Sequence, residues 1–534
     1  MAVASGPVQV VWFKRDLRVA DHRPLWEAAQ RGPVLPLFIV EPSIVTAPDA
    51  STLHYAFLAD CLHDLRDRLA QLGQPLVVRV GEAVTVLAQL HADLAAQGGI
   101  AQLWAHEETG NGLTYARDRA VRRWAKATGI VMTEFPAAGV VRGLRERDLW
   151  EGLWQRRMER PLTPAPTQLL PAPPSIAPGA IPTPSEVGLP AQTWTERQRG
   201  GLDHGQATLD SFLRARGLRY WREMSSPLTA YEACSRLSPY LAWGQLSTRQ
   251  VLVALETWRQ EAAGLAPDAR DALGIHWRQS LESFAARLRW RCHFMQKLER
   301  EPRIEFESFV TTYDGLRDEN PEWLAAWAAG QTGYPLVDAC MRALQATGWI
   351  NFRMRAMLVS FATQDLWLHW RAPALHLARL YVDYEPGIHY CQMQMQSGAT
   401  GLDTVRIYNP VKQSLEHDPL GEFIRRWVPE LAAMPDGYIH TPWLLPGGQQ
   451  ARLGIRIGRH YPAPLVEHEA AQRRAKLKLA QVRALPETAR QAAEVRANHA
   501  SRRRRPSRKP PRTGENSREP SGGSGPAAEQ LSLF

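Results

Sequence analysis

Cysteine is scarce and scattered in this sequence. Its five cysteines, Cys61, Cys234, Cys292, Cys340 and Cys391, form no C-x-x-C pair. That spacing argues against a structural zinc site and a disulfide framework, and it suits a reducing cytoplasm. No run of eighteen apolar residues occurs, so no membrane-spanning helix is expected. The opening MAVASGPVQVVWF has neither a basic region nor an apolar signal core, and a soluble cytoplasmic protein is expected. The G-x-G-x-x-G dinucleotide fingerprint is missing as well. Acidic residues are in mild deficit. Lys plus Arg number 64 against 54 Asp plus Glu, giving +10, and the run from Arg502 to Arg512 alone carries seven of the basic residues. The body of the chain is therefore only mildly basic.

What is present is length. A chain of 534 residues exceeds one typical core, so two folded domains with connecting segments are expected. Residues 1–150 alternate short β-branched runs with amphipathic helices: VQVVWF from Val8, VLPLFIV from Val34, PLVVRV from Pro75, IAQLWA from Ile100 and GIVMT from Gly129. Strand, helix and strand in succession imply parallel strands with crossover helices, hence a doubly wound α/β domain whose carboxyl edge can bind a ligand. Leu58, Leu62, Leu65 and Leu69 mark one helical face. Residues 151–202 read as a connector, because residues 161–190 hold ten prolines, which favour extended backbone. Residues 203–463 read as an all-helical domain, with Val337, Met341 and Leu344, and then Met354, Met357, Leu358 and Phe361, at helical spacing. Residues 464–500 read as a charged helical extension and 501–534 as a disordered basic tail.

Three blocks carry chemistry. In CSRLSPYLAWGQLS, Ser235 and Ser238 flank Arg236 ahead of a helix start, a set of groups suited to a phosphate or to an ordinary cap. In the second, from Tyr334 to Phe361, Arg342, Arg353 and Arg355 lie among apolar residues, where each guanidinium must find a carboxylate or a phosphate. The third, from Tyr381 to Pro410, supplies Asp383 and Glu385 in a Pro/Gly-rich loop of the kind that lines sites.

WFKRDLRVADH (Trp12 to His22), SRLSPYLAWG, TGWINFRMR, the Asp383 loop and RIYNP (Arg406 to Pro410) stand in the order and at the separations of the DNA photolyase and cryptochrome family, which the chain resembles. The likeness runs from about residue 8 to about residue 445 and includes FIRRWVPEL and YIHTPW. The resemblance implies FAD, bent into a U within the helical domain. By motif matching, Tyr220, Ser235, Arg236, Leu237, Ser238, Arg355, Asp383, Tyr384, Glu385 and His389 would hold it, with Arg355 paired to Asp383. His389 would face the redox-active ring nitrogen, often met by Asn in the family. The resemblance further implies light-driven splitting of pyrimidine dimers flipped out of ultraviolet-damaged DNA. His389, Glu385, Trp290 and Arg287 are the candidate catalytic residues, and Trp290, Arg291, Asn351, Phe352 and Arg406 the candidate DNA contacts. A cryptochrome-like photoreceptor that binds FAD without repair is the rival. An antenna pigment, a folate or a deazaflavin, would sit near HEETGNGLTYARD (His106 to Asp118).

The sequence departs from the family pattern at Arg287, where a Glu is often found, and at Phe352, in place of an Asn. Met393 stands where the resemblance implies the tryptophan nearest the flavin. Trp370 matches a second member of that electron-transfer chain, so a route through Tyr390 or Trp367 would be needed. The chain ends in Gln530, Leu531, Ser532, Leu533 and Phe534, which resembles the peptide that docks repair proteins on the bacterial sliding clamp. A monomeric, nucleoid-associated bacterial protein is expected.

Overall fold

Apolar β-branched runs with both faces covered pair into a parallel sheet, and five do so here. They are β1 (Val8–Phe13), β2 (Val34–Val40), β3 (Val77–Val80), β4 (Ile100–Glu107) and β5 (Val131–Pro136), in the order β3-β2-β1-β4-β5. β1 and β2 are buried along their whole length, as expected of central strands covered on both faces. Helix α1 (Thr52–Gln71) buries Leu58, Leu62, Leu65 and Leu69 against the sheet's helical layer. The structure, a computed structural model, describes residues 7–194, 196–402 and 405–500. The disordered tail and clamp-like end expected from Ser501 onward lie outside the described residues.

The proline-rich connector is laid against the sheet. Proline lacks an N–H but keeps its carbonyl, and the Pro178 carbonyl accepts from Val78 N (2.7 Å) while Leu170 O accepts from Val34 N (2.9 Å). Beyond it the chain is helical: α2 (Trp277–Arg300), α3 (Pro335–Thr347), α4 (Phe352–Ser360), α5 (Pro386–Ser397) and, in the C-terminal segment, α6 (His468–Arg483) and α7 (Pro486–His499). Val337, Met341, Leu344, Met354, Met357, Leu358 and Phe361 all enter one core. None of the described helices is long and apolar enough to cross a membrane.

WFKRDLRVADH joins the two domains. Leu17 N donates to Trp243 O (3.2 Å), Arg18 Nη1 to Gly244 O (2.9 Å) and Arg15 Nη2 to Tyr384 O (2.9 Å). Asp16 accepts from Lys14 N (2.7 Å), His106 Nδ1 (2.7 Å) and His22 Nε2 (2.9 Å). Leu25 N donates to His22 Nδ1, so this buried triad is satisfied by its own hydrogen bonds. Gly244 adopts φ +71°, and a Cβ there would overlap the Arg15 carbonyl.

Two stability predictions follow from these features. Gly244→Ala combines a left-handed conformation, costing about 1–2 kcal/mol, with a backbone clash across the domain junction. Gly129, at φ +76°, has open space around it. The thermal midpoint should fall at least twice as far for Gly244→Ala as for Gly129→Ala. Burial also holds His54, His376, His389 and His417 down to about 4 and His106 down to about 3, against an ordinary 6.5. Below pH 6.5 the unfolded chain binds protons that the folded chain refuses, so stability is full above that value and falls toward pH 4. Each histidine contributes up to about 1.4 kcal/mol per pH unit in that window. Thermal melts should be flat from pH 7 to 8 and drop steeply from pH 6.5 to 4; a flat profile throughout would contradict buried neutral imidazoles.

Candidate functional site

A cavity of about 310 Å³ opens among the helices, walled by α2, α4, α5, the loop Tyr381–Glu385 and the turn Cys234–Ser238. Its size is that of a cofactor pocket. α5 crosses α2 closely because Gly387 has no side chain: a Cβ there would meet Met295 Cα at 2.6 Å. That approach sets one face of α5 on the cavity, with His389, Gln392, Met393 and Gln396 at helical spacing.

Five arginines line the space, Arg236, Arg287, Arg291, Arg353 and Arg355, against two carboxylates, Asp383 and Glu385. Arg355 grips Asp383 with both terminal nitrogens, at 3.0 and 2.9 Å, and its guanidinium lies 4.1 Å from the Tyr381 ring centroid. Burial pushes the Asp383 carboxyl up, but Arg355 and the Ser238 hydroxyl hold it below its ordinary range. Glu385 pairs with Arg291 at 2.5 Å, and here burial wins, raising the carboxyl. Arg236 adopts φ +57°, an uncommon conformation for a side-chain-bearing residue and a mark of a constrained turn. Its guanidinium lies 4.2 Å from the Trp349 ring and its Nε donates to Gln198 Oε1 (3.1 Å).

Buried polar atoms without partners face this region: Asn351 Oδ1, Arg353 Nε, Tyr381 Oη and Gln392 Oε1. Buried donors and acceptors are normally paired, so the lining is complementary to a polar, anionic occupant. His389 is buried and Nε2 donates to Ala374 O (2.8 Å).

Most residues singled out in the sequence converge here. Tyr220, Ser235, Arg236, Ser238, Arg287, Trp290, Arg291, Asn351, Phe352, Arg355, Asp383, Tyr384, Glu385 and His389 all line the cavity. Leu237 and Arg406 do not. The Leu237 side chain is sealed in the core beside the α/β domain, and Arg406 lies exposed away from the lining. Arg291, expected at DNA, is turned inward to Glu385 and Leu241 O. Asn351 donates to Met224 O and Ser225 O, while Phe352 stands 38% exposed. Arg342 finds its carboxylate at Glu430 (2.8 Å), outside the cavity. Trp370 is buried behind the wall, its centroid 6.3 Å from Tyr390, which in turn lies 5.5 Å from His389. Trp367 donates to Leu316 O (3.2 Å). Sequence reading missed Tyr381, Gln392 and Gln396; the last two could have been found by stepping three and seven residues along α5 from His389.

A second cavity, about 120 Å³, lies at the carboxyl ends of β1 and β2. Glu108, Asn111, Thr114 and Arg117 from the His106–Asp118 segment share its wall with Phe38, Ile39 and Tyr55. Tyr384 lines both cavities, and its hydroxyl donates to Asp49 Oδ2 (2.6 Å).

Comparison with known proteins agrees with this layout. Residues 9–143 match the family model described as DNA photolyase, and residues 284–481 match the FAD binding domain of DNA photolyase. The chain is 32% identical to a deoxyribodipyrimidine photo-lyase of Streptomyces griseus over 481 residues, covering 88% of this chain and 98% of that one. It is 30% identical to a cryptochrome DASH of Gloeobacter violaceus over 489 residues, covering 87% and 94%. A crystal structure of a class III photolyase from Agrobacterium tumefaciens superposes with a TM-score of 0.76 at 25% identity, covering 91% of this chain and 99% of that one. An α/β domain and a helical domain, each matched by its family model, and relatives 30–32% identical over most of the chain make it a member of the DNA photolyase and cryptochrome family.

Proposed function

We propose that the protein is a photolyase that repairs ultraviolet-damaged DNA by splitting pyrimidine dimers with light. The observation that carries this reading is a cofactor-sized cavity whose floor is cationic and polar and whose mouth bears the aromatic side chains of Trp290 and Phe352. FAD fits the floor. The unpartnered Asn351 Oδ1, Tyr381 Oη and Gln392 Oε1 need partners, and the surplus of guanidinium needs an anion. Ser235, Arg236 and Ser238 would hold the diphosphate, and Arg355, Asp383, Tyr384, Glu385 and His389 would line the ribityl and isoalloxazine. FAD supplies a light-driven one-electron reductant.

The remaining work belongs to the chain. A dimer inside the base stack cannot approach the cofactor, so the cavity must admit an extruded nucleotide pair. Trp290 offers it a stacking face, worth about 1–3 kcal/mol per base. Arg287 and Arg353 offer donors to its carbonyls or phosphates. The second cavity would hold an antenna pigment of folate or deazaflavin type at the sheet's carboxyl edge.

Arg287 and Phe352 favour the alternative, a photoreceptor that binds FAD without repair, because both stand where the family pattern places lesion-binding groups. The decisive measurement exposes purified, reduced protein and a dimer-bearing oligonucleotide to blue light against a dark control. Light-dependent recovery of pyrimidines is expected; its absence from FAD-loaded protein would leave the photoreceptor. The terminal QLSLF peptide would bring the enzyme to DNA by docking on the sliding clamp, Leu and Phe filling an apolar groove while Gln fixes register. Deleting Gln530 to Phe534 should abolish binding to purified clamp; binding that persists undiminished would refute the docking.

A further inference from the structure

The loop that carries Asp383 and Glu385 is not held by the helical domain alone. Residues 379–384 lie against residues 48–54 of the α/β domain, and side chains of each segment bond to the other. The Ser51 hydroxyl donates to Arg379 O (2.7 Å), and Arg379 Nη1 returns a bond to Pro48 O (3.0 Å). His54 Nε2 donates to Tyr381 O (2.9 Å), and the Tyr384 hydroxyl donates to Asp49 Oδ2 (2.6 Å). The His54 and Tyr384 rings stack between these bonds, with centroids 5.7 Å apart and planes at 12°. Arg15, just beyond β1, adds a bond from Nη2 to Tyr384 O (2.9 Å). Val382, between the anchors, is fully buried in one core cluster with Leu53 of α1.

The two segments belong to different cavities. Arg15, Asp49, Ser51 and His54 line the cavity at the sheet edge and do not line the main one. Tyr381, Asp383 and Glu385 line the main cavity and do not line the other, while Tyr384 lines both. A single bonded strip therefore forms the partition. One side of it meets whatever fills the sheet edge, and the other carries the carboxylates that grip Arg355 and Arg291. Ordering a loop is entropically costly, and apparent affinity falls by the fraction of molecules in which the loop is already in place. We propose that Arg15, Asp49 and His54 are positioning residues for the main cavity, and that through this strip occupancy of either cavity raises the affinity of the other. The inference rests on the reading above that FAD fills the main cavity and requires nothing of how its rings are turned. Coupling between sites is reciprocal. FAD must then steady residues 48–54, which line no part of its cavity, and a ligand that steadies Asp49 and His54 must raise the affinity for FAD by the same factor.

Two measurements on the full chain test this. The first is FAD affinity by fluorescence titration. His54→Phe keeps a ring for the stack and loses the donor to Tyr381 O, and Asp49→Ala loses the acceptor for Tyr384; each should weaken FAD about tenfold. Asp49→Asn, which keeps an acceptor oxygen, should restore most of the loss. Thr52→Val should bind FAD as the natural chain does, because Thr52 lies on the same turn of α1 but its hydroxyl bonds to Pro190 O in the connector (3.0 Å). Unchanged affinity in both His54→Phe and Asp49→Ala, or an equal loss in Thr52→Val, would overturn the inference. The second is hydrogen exchange. Adding FAD to the natural chain should slow exchange of the amides from Asp49 to Phe57 about tenfold, and in His54→Phe that response should vanish while the response of α5 remains. FAD bound by the natural chain with no slowing there would overturn this inference alone. FAD bound by none of the chains, the natural one included, would overturn the reading beneath it as well.

Discussion

Two carboxylates cannot neutralise five guanidiniums, and the cavity between α2, α4 and α5 holds that imbalance in a setting of low dielectric. Charge buried without compensation is among the most expensive features a fold can carry. Asp383 and Glu385 each engage one arginine, at 2.9 and 2.5 Å. Those pairs fix the loop between Tyr381 and α5 against α4 and α2, and they position the floor on which everything else depends. The remaining positive charge on this wall is complementary to an anionic group of the kind the proposed dinucleotide carries in its diphosphate.

The second constraint is mechanical. The helical domain alone does not close the site, since Arg15 of the α/β domain donates to Tyr384 O and lies 4.6 Å from the Trp243 ring. Tyr384 lines the main cavity on one side and the cavity at the sheet edge on the other. A ligand at the carboxyl ends of β1 and β2 is thus separated from the main cavity by one aromatic ring and its hydrogen bond to Asp49.

The fold was largely legible because its signals are local and redundant. β1 and β2 begin and end where their apolar runs do. β5 starts two residues later than the run GIVMT suggests, because Gly129 and Ile130 are spent closing the preceding helix, Ile130 N donating to Ala125 O. The seven tryptophans from Trp277 to Trp370 are mostly core, as indoles in helices usually are; Trp327 and Trp370 are fully buried and Trp290 meets the cavity. The site was legible only as motifs. Nothing local says that Arg342 is satisfied by Glu430 while Arg353 lines the cavity, or that Arg291 bonds Glu385. Such outcomes depend on which distant element arrives opposite, and periodicity carries no information about that.

The departures from the family pattern are not spread evenly over the cavity. By motif matching, Ser235, Arg236, Ser238, Arg355 and Asp383 are of the residue types the resemblance implies, whereas Arg287, Phe352, His389 and Met393 depart from it, and all nine line the cavity. A floor charged to hold a dinucleotide constrains its residues through desolvation, because losing one partner strands the other. Phe352, 38% exposed, meets solvent and carries no such penalty. The α5 wall lies between these extremes. Met393 stands where the resemblance implies an indole, and one run of aromatic rings outward from the cavity passes from His389 to Tyr390 to Trp370, with centroid steps of 5.5 and 6.3 Å. On the proposed reading, a site whose charged pairs are kept while its α5 wall differs would keep its cofactor and change the route by which that cofactor is reduced.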